Sequence, residues 1–498
     1  MPSRSGQRPG GSRRLLSHVL LFLAYGTAGC IVALIGVYIL LLQQRPDLER
    51  WHEVELEMEF SAERASEVES LDDYRRLEDA LFRELDEKVY AAVPQRERRR
   101  LLRYSADSLS DPRNLAPDWN RTTLWKHDDP KGAALLLHGL SDSPYSMRAL
   151  AEALRDRGFT VLALRLPGHG TAPSGLLSAS QEDWMAAVRL AMRSLREQTE
   201  ADTPLYIVGY STGAALAVEY ALARLLGENL PAANGLVLLS PAIGVSPLAA
   251  LAIWQSRLAR LPGLQKLAWT DLLPEYDPYK YNSFTVNAGD QVYRLTRRIS
   301  AQLQKLNGSG PVEDMPPVLA FQSVADATVS APAVLNALFR HLAPEGHELV
   351  GFDINRHADI EPFLAMPVLE VRTRLLEEPA LPVDFTLVVN ASNTTDDVVA
   401  LRRAALATQI EETPLDQAWP ADVYSLSHVA LPFPPSDPLY GSEQPLDSQH
   451  IFLGRVDLRG ERGLLTVSAD GLIRLRYNPF FSYLVARLDD FLKKQGAI

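Results

Sequence analysis

The chain has 498 residues, of which 46% are hydrophobic and 22% are charged, a balance typical of a globular protein with a sizeable core. The formal net charge of −12 argues against a nucleic-acid partner. Cys30 is the single cysteine, so an intrachain disulfide and a cysteine-rich zinc site are both excluded.

The first predicted element is a membrane anchor at residues 19–42. These 24 residues carry no charge and, as a helix, would be about 36 Å long, enough to cross a hydrocarbon core of roughly 30 Å. Residues 1–18 contain four arginines and no acid. The positive-inside tendency therefore predicts a single-pass protein with a basic cytoplasmic N-terminus and residues 43–498 on the far side, the periplasm in a Gram-negative bacterium.

Three other interpretations of residues 19–42 stay open. A cleaved signal peptide has an apolar core of roughly 7–15 residues, shorter than this one. A buried core helix is rarely so uniformly apolar. The third is lipid attachment, because residues 27–30 read TAGC, which resembles a lipidation motif, although twelve more apolar residues follow Cys30.

Residues 43–121 are predicted to form an acidic helical stalk or cap. Within 47–88 there are sixteen Asp or Glu against six Lys or Arg, and apolar residues recur at spacings of three and four, as in LDDYRRLEDALFRELDEKVY. The basic cluster RERRRLLR at 96–103 is interpreted as a solvated face, with contact to lipid headgroups as the alternative. No chemistry is assigned to this region.

From residue 122 onward, short apolar runs alternate with helical patterns. Buried strands are predicted in GAALLLHGL (132–140), TVLALRL (160–166), LYIVGY (205–210) and GLVLLSPAIG (235–244), with helices between them. This alternation predicts an α/β domain over 122–498, with a mostly parallel sheet covered by helices on both faces. In such sheets, sites form beyond the carboxyl ends of the strands.

The motif GYSTG places Ser211 where a buried strand meets a helix. A sharp turn there would push the hydroxyl into a cleft, and Gly209 and Gly213 would avoid a collision between strand and helix. The N–H of Thr212 would donate to the oxyanion of a tetrahedral intermediate. A second donor, the N–H of Leu140, is expected from HGLSDSP (138–144), in which His138 and Gly139 would shape the turn.

The stretch LLLHGLSDSPYSMRALAEALRDRGFTVLALRLPGHGTAP, followed by GYSTG, resembles the α/β-hydrolases of the monoacylglycerol lipase and serine aminopeptidase type. The resemblance is close over 132–245, partial over 315–345, and poor in the first 120 residues and much of the C-terminal third. It implies the α/β-hydrolase fold and a triad in the order Ser, Asp, His. It also implies hydrolysis of esters or sometimes amides, without a metal or an organic cofactor.

The acid of the implied triad is predicted to be Asp326, in PPVLAFQSVADATVSAPAVLNALF (316–339), because an apolar strand ends just before it. It would hold the histidine tautomer and stabilise the imidazolium. A helix-capping role is the structural alternative. Asp396 and Asp397, after the apolar run in FTLVVNASNTTDDVV (385–399), are rivals.

The base is predicted to be His428, at the end of an expected strand in VYSLSHVALPFPPSDPLYG (423–441), with His357 as the alternative. The prolines after His428 force an open loop that could line a cleft. If His428 is the base, residues 358–420 are an insertion, predicted as a strand followed by a helix over VVALRRAALATQI. His138, His169 and His450 are interpreted as structural.

Residues 245–314 are predicted to form a lid whose aromatic side chains either pack against the body or line an acyl site. The sequence thus predicts a membrane-attached serine hydrolase of carboxylic esters, with a monoacylglycerol or lysophospholipid as substrate. A peptidase of the serine aminopeptidase type and a catalytically inactive binding module are the alternatives. Residues 456–492 are expected to add strands and a closing helix.

Overall fold

The structure is a computed structural model of the chain. It describes residues 44–93, 101–106, 108–244, 263–329, 331–358, 381–445, 450–454 and 473–498, with parts of 18–38 and the short stretches 259, 261, 361–363 and 376–378.

Among the described residues, ten strands form one central sheet and two form a small separate one. The strands are β1 (Thr123–Trp125), β2 (Gly132–Leu137), β3 (Phe159–Leu164), β4 (Leu205–Tyr210), β5 (Gly235–Leu239), β6 (Trp269–Asp271), β7 (Phe284–Thr285), β8 (Val318–Ser323), β9 (Glu348–Phe352), β10 (Asp384–Asn390), β11 (Asp397–Arg403) and β12 (Glu411–Ala418). The order in the central sheet is β1-β3-β2-β4-β5-β8-β9-β10-β11-β12, and β6 pairs with β7.

The middle of the central sheet is parallel, from β3 through β10. The outer strands are antiparallel, with β1 on one edge and β11 and β12 on the other. The prediction of a mostly parallel sheet is confirmed, and the fold is the α/β-hydrolase fold. In its register Leu137 pairs with Gly209, and Tyr210 with Leu239, so the carboxyl ends of β2, β4 and β5 meet at one edge.

The helices of the described residues cover this sheet and the segment before it. They are α1 (Arg50–Glu53), α2 (Leu71–Leu85), α3 (Arg148–Arg155), α4 (Gln181–Glu197), α5 (Thr212–Leu225), α6 (Val286–Leu306), α7 (Ala331–Ala337) and α8 (Phe481–Lys494).

The core lies around β2 to β5, in which every residue is buried. These strands are continuous apolar runs because both faces of a parallel sheet are covered. The helix α5 is rich in alanine and is buried over its first twelve residues. Its small side chains let it pack closely behind β4, which fixes the start of α5 at the edge of the sheet.

The acidic segment before β1 packs against the α/β body. Helix α2 begins with a capping box between Ser70 and Asp73. Its Tyr74 hydroxyl donates to the carbonyl of Arg165, 2.7 Å away, at the end of β3. Leu71 and Tyr74 join the same apolar cluster as β2 and β4. The described part of this segment therefore covers the body, as a cap does.

A buried ion-pair cluster joins the same two parts of the chain. The Arg165 guanidinium lies 2.7 Å from Glu78 and 2.9 Å from Glu59, and the side chains of Arg165 and Glu78 are 1% and 3% exposed. Glu78 also accepts the N–H of Thr122, and Glu59 accepts that of Gly168. We call Arg165, Glu59 and Glu78 the arginine clasp.

The predicted membrane anchor, and with it the placement of the catalytic domain across a membrane, is wrong. Within the described part of the chain, no helix has both the length and the apolar character that a membrane crossing requires. An apolar run supplies the hydropathy of a span, but a span also needs about 20 residues in one continuous helix. Part of the predicted range 19–42 lies outside the described residues.

The region between the predicted acid and base differs from the expected strand and helix. Residues 398–403, predicted as the start of a helix, belong instead to β11 (Asp397–Arg403), which pairs antiparallel with β10. Val398, Val399 and Ala400 are buried there, so packing on the sheet outweighs local helix propensity. The strand expected just before His428 is also absent, because residues 421–427, all described, form a turn and a loop.

The predicted lid lies partly outside the described residues, which omit 245–258, 260 and 262. Of the remainder, α6 packs against α5 as part of the body. In the C-terminal segment 456–492, α8 provides the expected closing helix, whereas residues 456–472 of this segment lie outside the described residues.

Candidate active site

Ser211 lies between β4 and α5 in a backbone conformation that non-glycine residues rarely adopt, with φ 53° and ψ −113°. Hydrogen bonds on both sides hold it there. Its N–H donates to the carbonyl of Leu239 at 2.8 Å, and its carbonyl accepts from Ala215 and Ala242. This strained strand-to-helix turn presents the hydroxyl at the edge of the sheet.

Two glycines make the turn possible. A Cβ on Gly209 would lie 2.5 Å from the backbone of Ala214, and one on Gly213 would lie 2.2 Å from the carbonyl oxygen of Leu137. No side chain fits at such distances, so strand and helix approach each other only because both positions are glycine.

His428 connects Ser211 to Asp326. Its Nε2 lies 3.1 Å from Ser211 Oγ, and its Nδ1 lies 2.7 Å from Asp326 Oδ2. The carboxylate on Nδ1 fixes the tautomer: Nδ1–H donates to Asp326, and Nε2 is left to accept the serine proton. The structure therefore brings together the three residues predicted as a triad, and all three side chains are buried.

The loop that carries Asp326 is held by its own polar atoms. Asp326 Oδ1 accepts the N–H of Thr328 and of Val329, which leaves Oδ2 for His428. Burial acts to raise the pKa of Asp326, but the hydrogen bond and charge of His428, with the two backbone N–H groups, outweigh it and hold the pKa below its usual value. The carboxylate is thus kept ionised.

Two residues that sequence reasoning missed support this arrangement. Gln322 Nε2 donates to Asp326 Oδ2 at 2.9 Å, and Ser323 Oγ donates to the carbonyl of Leu426 at 2.6 Å. The second bond ties the acid loop to the histidine loop. A polar residue at the end of β8 was the one available signal, because a parallel core strand otherwise carries apolar side chains.

The alternative base lies elsewhere. His357 is at the surface after β9, and its Nδ1 lies 2.9 Å from Asp396 Oδ1. The side chains of His357 and Asp396 are 41% and 32% exposed. The alternative base and a rival acid therefore pair with each other, apart from Ser211.

The loop after β2 is shaped by His138, which is fully buried. Its Nδ1 lies 2.8 Å from the carbonyl of Gly139, and its Nε2 accepts the N–H of Leu166 at 3.0 Å. Burial, with the nearby His169 and Arg165, lowers the pKa of His138 well below its usual value, so the ring stays neutral and can accept. The structural role predicted for His138 matches these contacts.

The expected oxyanion donors follow neighbouring strands. Leu140 comes three residues after the end of β2, and Thr212 is the first residue of α5, behind β4. Gly139 is tightly enclosed, because a Cβ there would lie 2.8 Å from Asp142 Oδ2 and 2.9 Å from the ring of Tyr210. The next residue but one, Ser141, has φ 63°, and its carbonyl accepts the N–H of Tyr281.

Comparison with known proteins gives one matching family and several similar proteins. The family described as "Serine aminopeptidase, S33" matches residues 128–359, a range that contains Ser211 and Asp326 and ends before His428. A thermostable monoacylglycerol lipase of Bacillus sp. (strain H-257) is 27% identical over 228 residues, which are 46% of this chain and 82% of that protein.

Two further matches are shorter or more distant. The phospholipase YtpA of Bacillus subtilis (strain 168) is 28% identical over 123 residues, which are 24% of this chain and 44% of that protein. A solved structure of the Paleococcus ferrophilus monoacylglycerol lipase is 24% identical, covers 47% of this chain and 88% of that chain, and has a TM-score of 0.34.

Proposed function

We propose that this protein cleaves monoacyl lipid esters, such as monoacylglycerols or lysophospholipids, through an acyl-serine intermediate. It would do so as an α/β-hydrolase of the serine hydrolase type that acts on carboxylic esters. One observation carries the proposal: the hydrogen-bond chain from Ser211 through His428 to Asp326. A hydroxyl at a strained turn, an imidazole within hydrogen-bond distance of it and a buried carboxylate are the parts that acyl transfer to serine requires.

The reaction begins with the attack of Ser211 Oγ on the ester carbonyl. His428 Nε2 takes the hydroxyl proton, and Asp326 stabilises the imidazolium through Nδ1–H. The N–H groups of Leu140 and Thr212 stabilise the oxyanion. His428 then gives its proton to the leaving alcohol, and an acyl-serine remains. Water, deprotonated by the same histidine, attacks that ester; His428 then returns the proton to Ser211 Oγ as the acyl–oxygen bond breaks, and the acid product leaves.

The substrate class is supported by similarity. The monoacylglycerol lipase and the phospholipase that the chain resembles act on lipid esters by name, and the similarity to the lipase covers 82% of that protein. We extend this class of substrate to the present chain.

A peptidase is the second candidate, because the matching family is described as a serine aminopeptidase. Recognition of a substrate ammonium group requires a carboxylate that is free to bind it. Asp142, the acid in the loop after β2, already lies 3.2 Å from Lys280 Nζ. This ion pair favours the esterase over the peptidase.

A fluorophosphonate probe tests the proposal, because it reacts with an activated serine. We expect it to label the wild-type protein and Ser392→Ala, a change at an exposed serine, but not Ser211→Ala. A series of p-nitrophenyl esters of increasing chain length, alongside aminoacyl amides, then identifies the substrate. Labelling of Ser211→Ala, or turnover of amides alone, would contradict the proposal.

A further inference from the structure

A cavity of about 190 Å³ is lined by residues next to Ser211 and His428 in the chain. Tyr210 and Val429, which line it, are the neighbours in the chain of Ser211 and His428. The Tyr210 ring lies 5.4 Å from the His428 ring. A group bound in this cavity would therefore lie beside the Tyr210 ring and close to His428.

The wall of this cavity carries three cationic side chains, Lys280, Arg474 and Arg476, and one carboxylate, Asp142. Lys280 Nζ lies 3.2 Å from Asp142 Oδ1, so these two charges balance each other. The two remaining cations are the guanidinium groups of Arg474 and Arg476. A guanidinium group matches the geometry of carboxylate and phosphate oxygens.

Arg476 is placed by a buried acid behind the wall. Its Nη1 lies 3.6 Å from Asp277 Oδ2, and its Nη2 lies 3.4 Å from the hydroxyl of Tyr276. Asp277 is itself fixed by the Tyr440 hydroxyl, which donates to Oδ1 at 2.6 Å. Asp277 thus balances Arg476 and holds it at the cavity.

Arg474 is exposed and lines the same cavity. Among the described residues no carboxylate forms an ion pair with it. Asp142 balances the charge of Lys280, and Asp277 balances that of Arg476. The charge of Arg474 therefore remains at the cavity. A neutral glycerol headgroup bound here would displace water from these cationic groups without offering them a counter-charge, which costs free energy. A substrate ammonium group would be repelled by the remaining positive charge.

We propose that this cavity binds the phosphate of the substrate headgroup, so that the preferred substrate is a phosphate-bearing monoacyl ester and not a neutral monoacylglycerol. The proposal rests on the proposed function, because it names the substrate of the same site. The guanidinium of Arg474 pairs with phosphate oxygens, and Arg476 and the Tyr276 hydroxyl provide further donors.

Hydrolysis of a matched pair of substrates tests the proposal: a 1-acylglycerol and the 1-acylglycerol 3-phosphate with the same acyl chain, both below their critical micelle concentrations. We expect wild-type kcat/KM to favour the phosphate ester by about tenfold or more, and added NaCl to reduce that ratio. Arg474→Gln should lower the ratio severalfold, chiefly by raising KM for the phosphate ester. Arg193→Gln, at an exposed arginine of α4, should leave the ratio as in the wild type.

The outcomes separate the two proposals. A wild-type ratio near one, or a ratio that Arg474→Gln does not change, overturns the phosphate site while the esterase stands. No turnover of either ester, together with no fluorophosphonate labelling of Ser211, overturns the proposed function instead.

Two further arms identify the anion. Inorganic phosphate should compete only weakly, at millimolar concentrations. Inhibition by free phosphate at concentrations below the KM of the phosphate ester would make the cavity a site for the free ion and overturn the headgroup assignment. Preference for a monoacyl ester that ends in a carboxylate would overturn the choice of phosphate.

Discussion

Asp326 and His428 lie 102 positions apart in the chain, yet Oδ2 of one is 2.7 Å from Nδ1 of the other. The hydrogen bond from the Ser323 hydroxyl to the carbonyl of Leu426 joins the same two loops. This bond does not involve the side chain of Asp326 or of His428. The relative position of Asp326 and His428 is therefore held by the loops, so a change in one side chain should alter the chemistry more than the fold.

Asp326→Asn should leave the fold intact and lower kcat by about 10³–10⁴-fold, because the amide removes the charge that stabilises the imidazolium and can favour the wrong histidine tautomer. Ester turnover measures the loss, and the melting temperature reports the fold. A kcat within tenfold of the wild-type value, in a folded variant, would show that Asp326 does not act on His428.

The assignment of the base can be tested with a matched pair. His428→Gln should abolish ester turnover to the same extent as Ser211→Ala, because no other group then accepts the serine proton. His357→Gln, which breaks only the surface contact with Asp396, should keep kcat within about twofold of the wild-type value. The reverse result would move the base to His357.

Gly213→Ala should destabilise the protein by more than about 3 kcal/mol, because its Cβ would meet the carbonyl oxygen of Leu137 at 2.2 Å and neither backbone can move without opening the turn. Chemical denaturation measures the change. Gly308→Ala is the control, since a Cβ at that position meets nothing within 4 Å. Equal stability of the two variants would show that the turn tolerates a side chain.

Stability should fall in acid because buried histidines must stay neutral. Burial is the main cause that lowers the pKa of His169 to about 4, from 6.5 in an unfolded chain. The neutral ring contributes its full stability above pH 6.5, and this contribution is lost as the pH falls from 6.5 towards 4, by on the order of 3 kcal/mol at pH 4.

His169→Phe keeps a ring beside Trp184 and removes the titration, so its free energy of unfolding should decline less between pH 6.5 and 4 than that of the wild type. The slope is the measurement, because the lost contact with the Pro167 carbonyl lowers stability at every pH. His127→Phe, at an exposed position, is the control. An unchanged slope in His169→Phe would contradict this account.

The position of Ser211 at a strand-to-helix turn was predictable because its signal is local. The apolar run of β4, the two glycines and the alanine-rich α5 are adjacent in the sequence, and their packing follows from residue size. The position of Asp326 was also predictable, since this residue follows a strand whose neighbours the alternating pattern establishes.

The histidine and the insertion were harder because they depend on contacts between distant parts of the chain. His428 lies in a loop whose position is set by Ser323, about a hundred residues earlier. The local sequence around Val398 is compatible with either a helix or a strand. It forms a strand because it pairs with the edge of β10. Glu59 and Glu78 could not be told apart from the solvated acids around them.

The arginine clasp sets the extent of the folding unit. The match to the family described as "Serine aminopeptidase, S33" begins at residue 128, yet Glu59 and Glu78, the acids that neutralise Arg165, precede it. A chain cut down to residues 128–359 would keep a guanidinium in the interior without either carboxylate, a loss on the order of 3–5 kcal/mol, and would lack His428 as well. The family match thus covers the middle of the chain, while the acids that balance Arg165 lie before it and the histidine that contacts Ser211 lies after it.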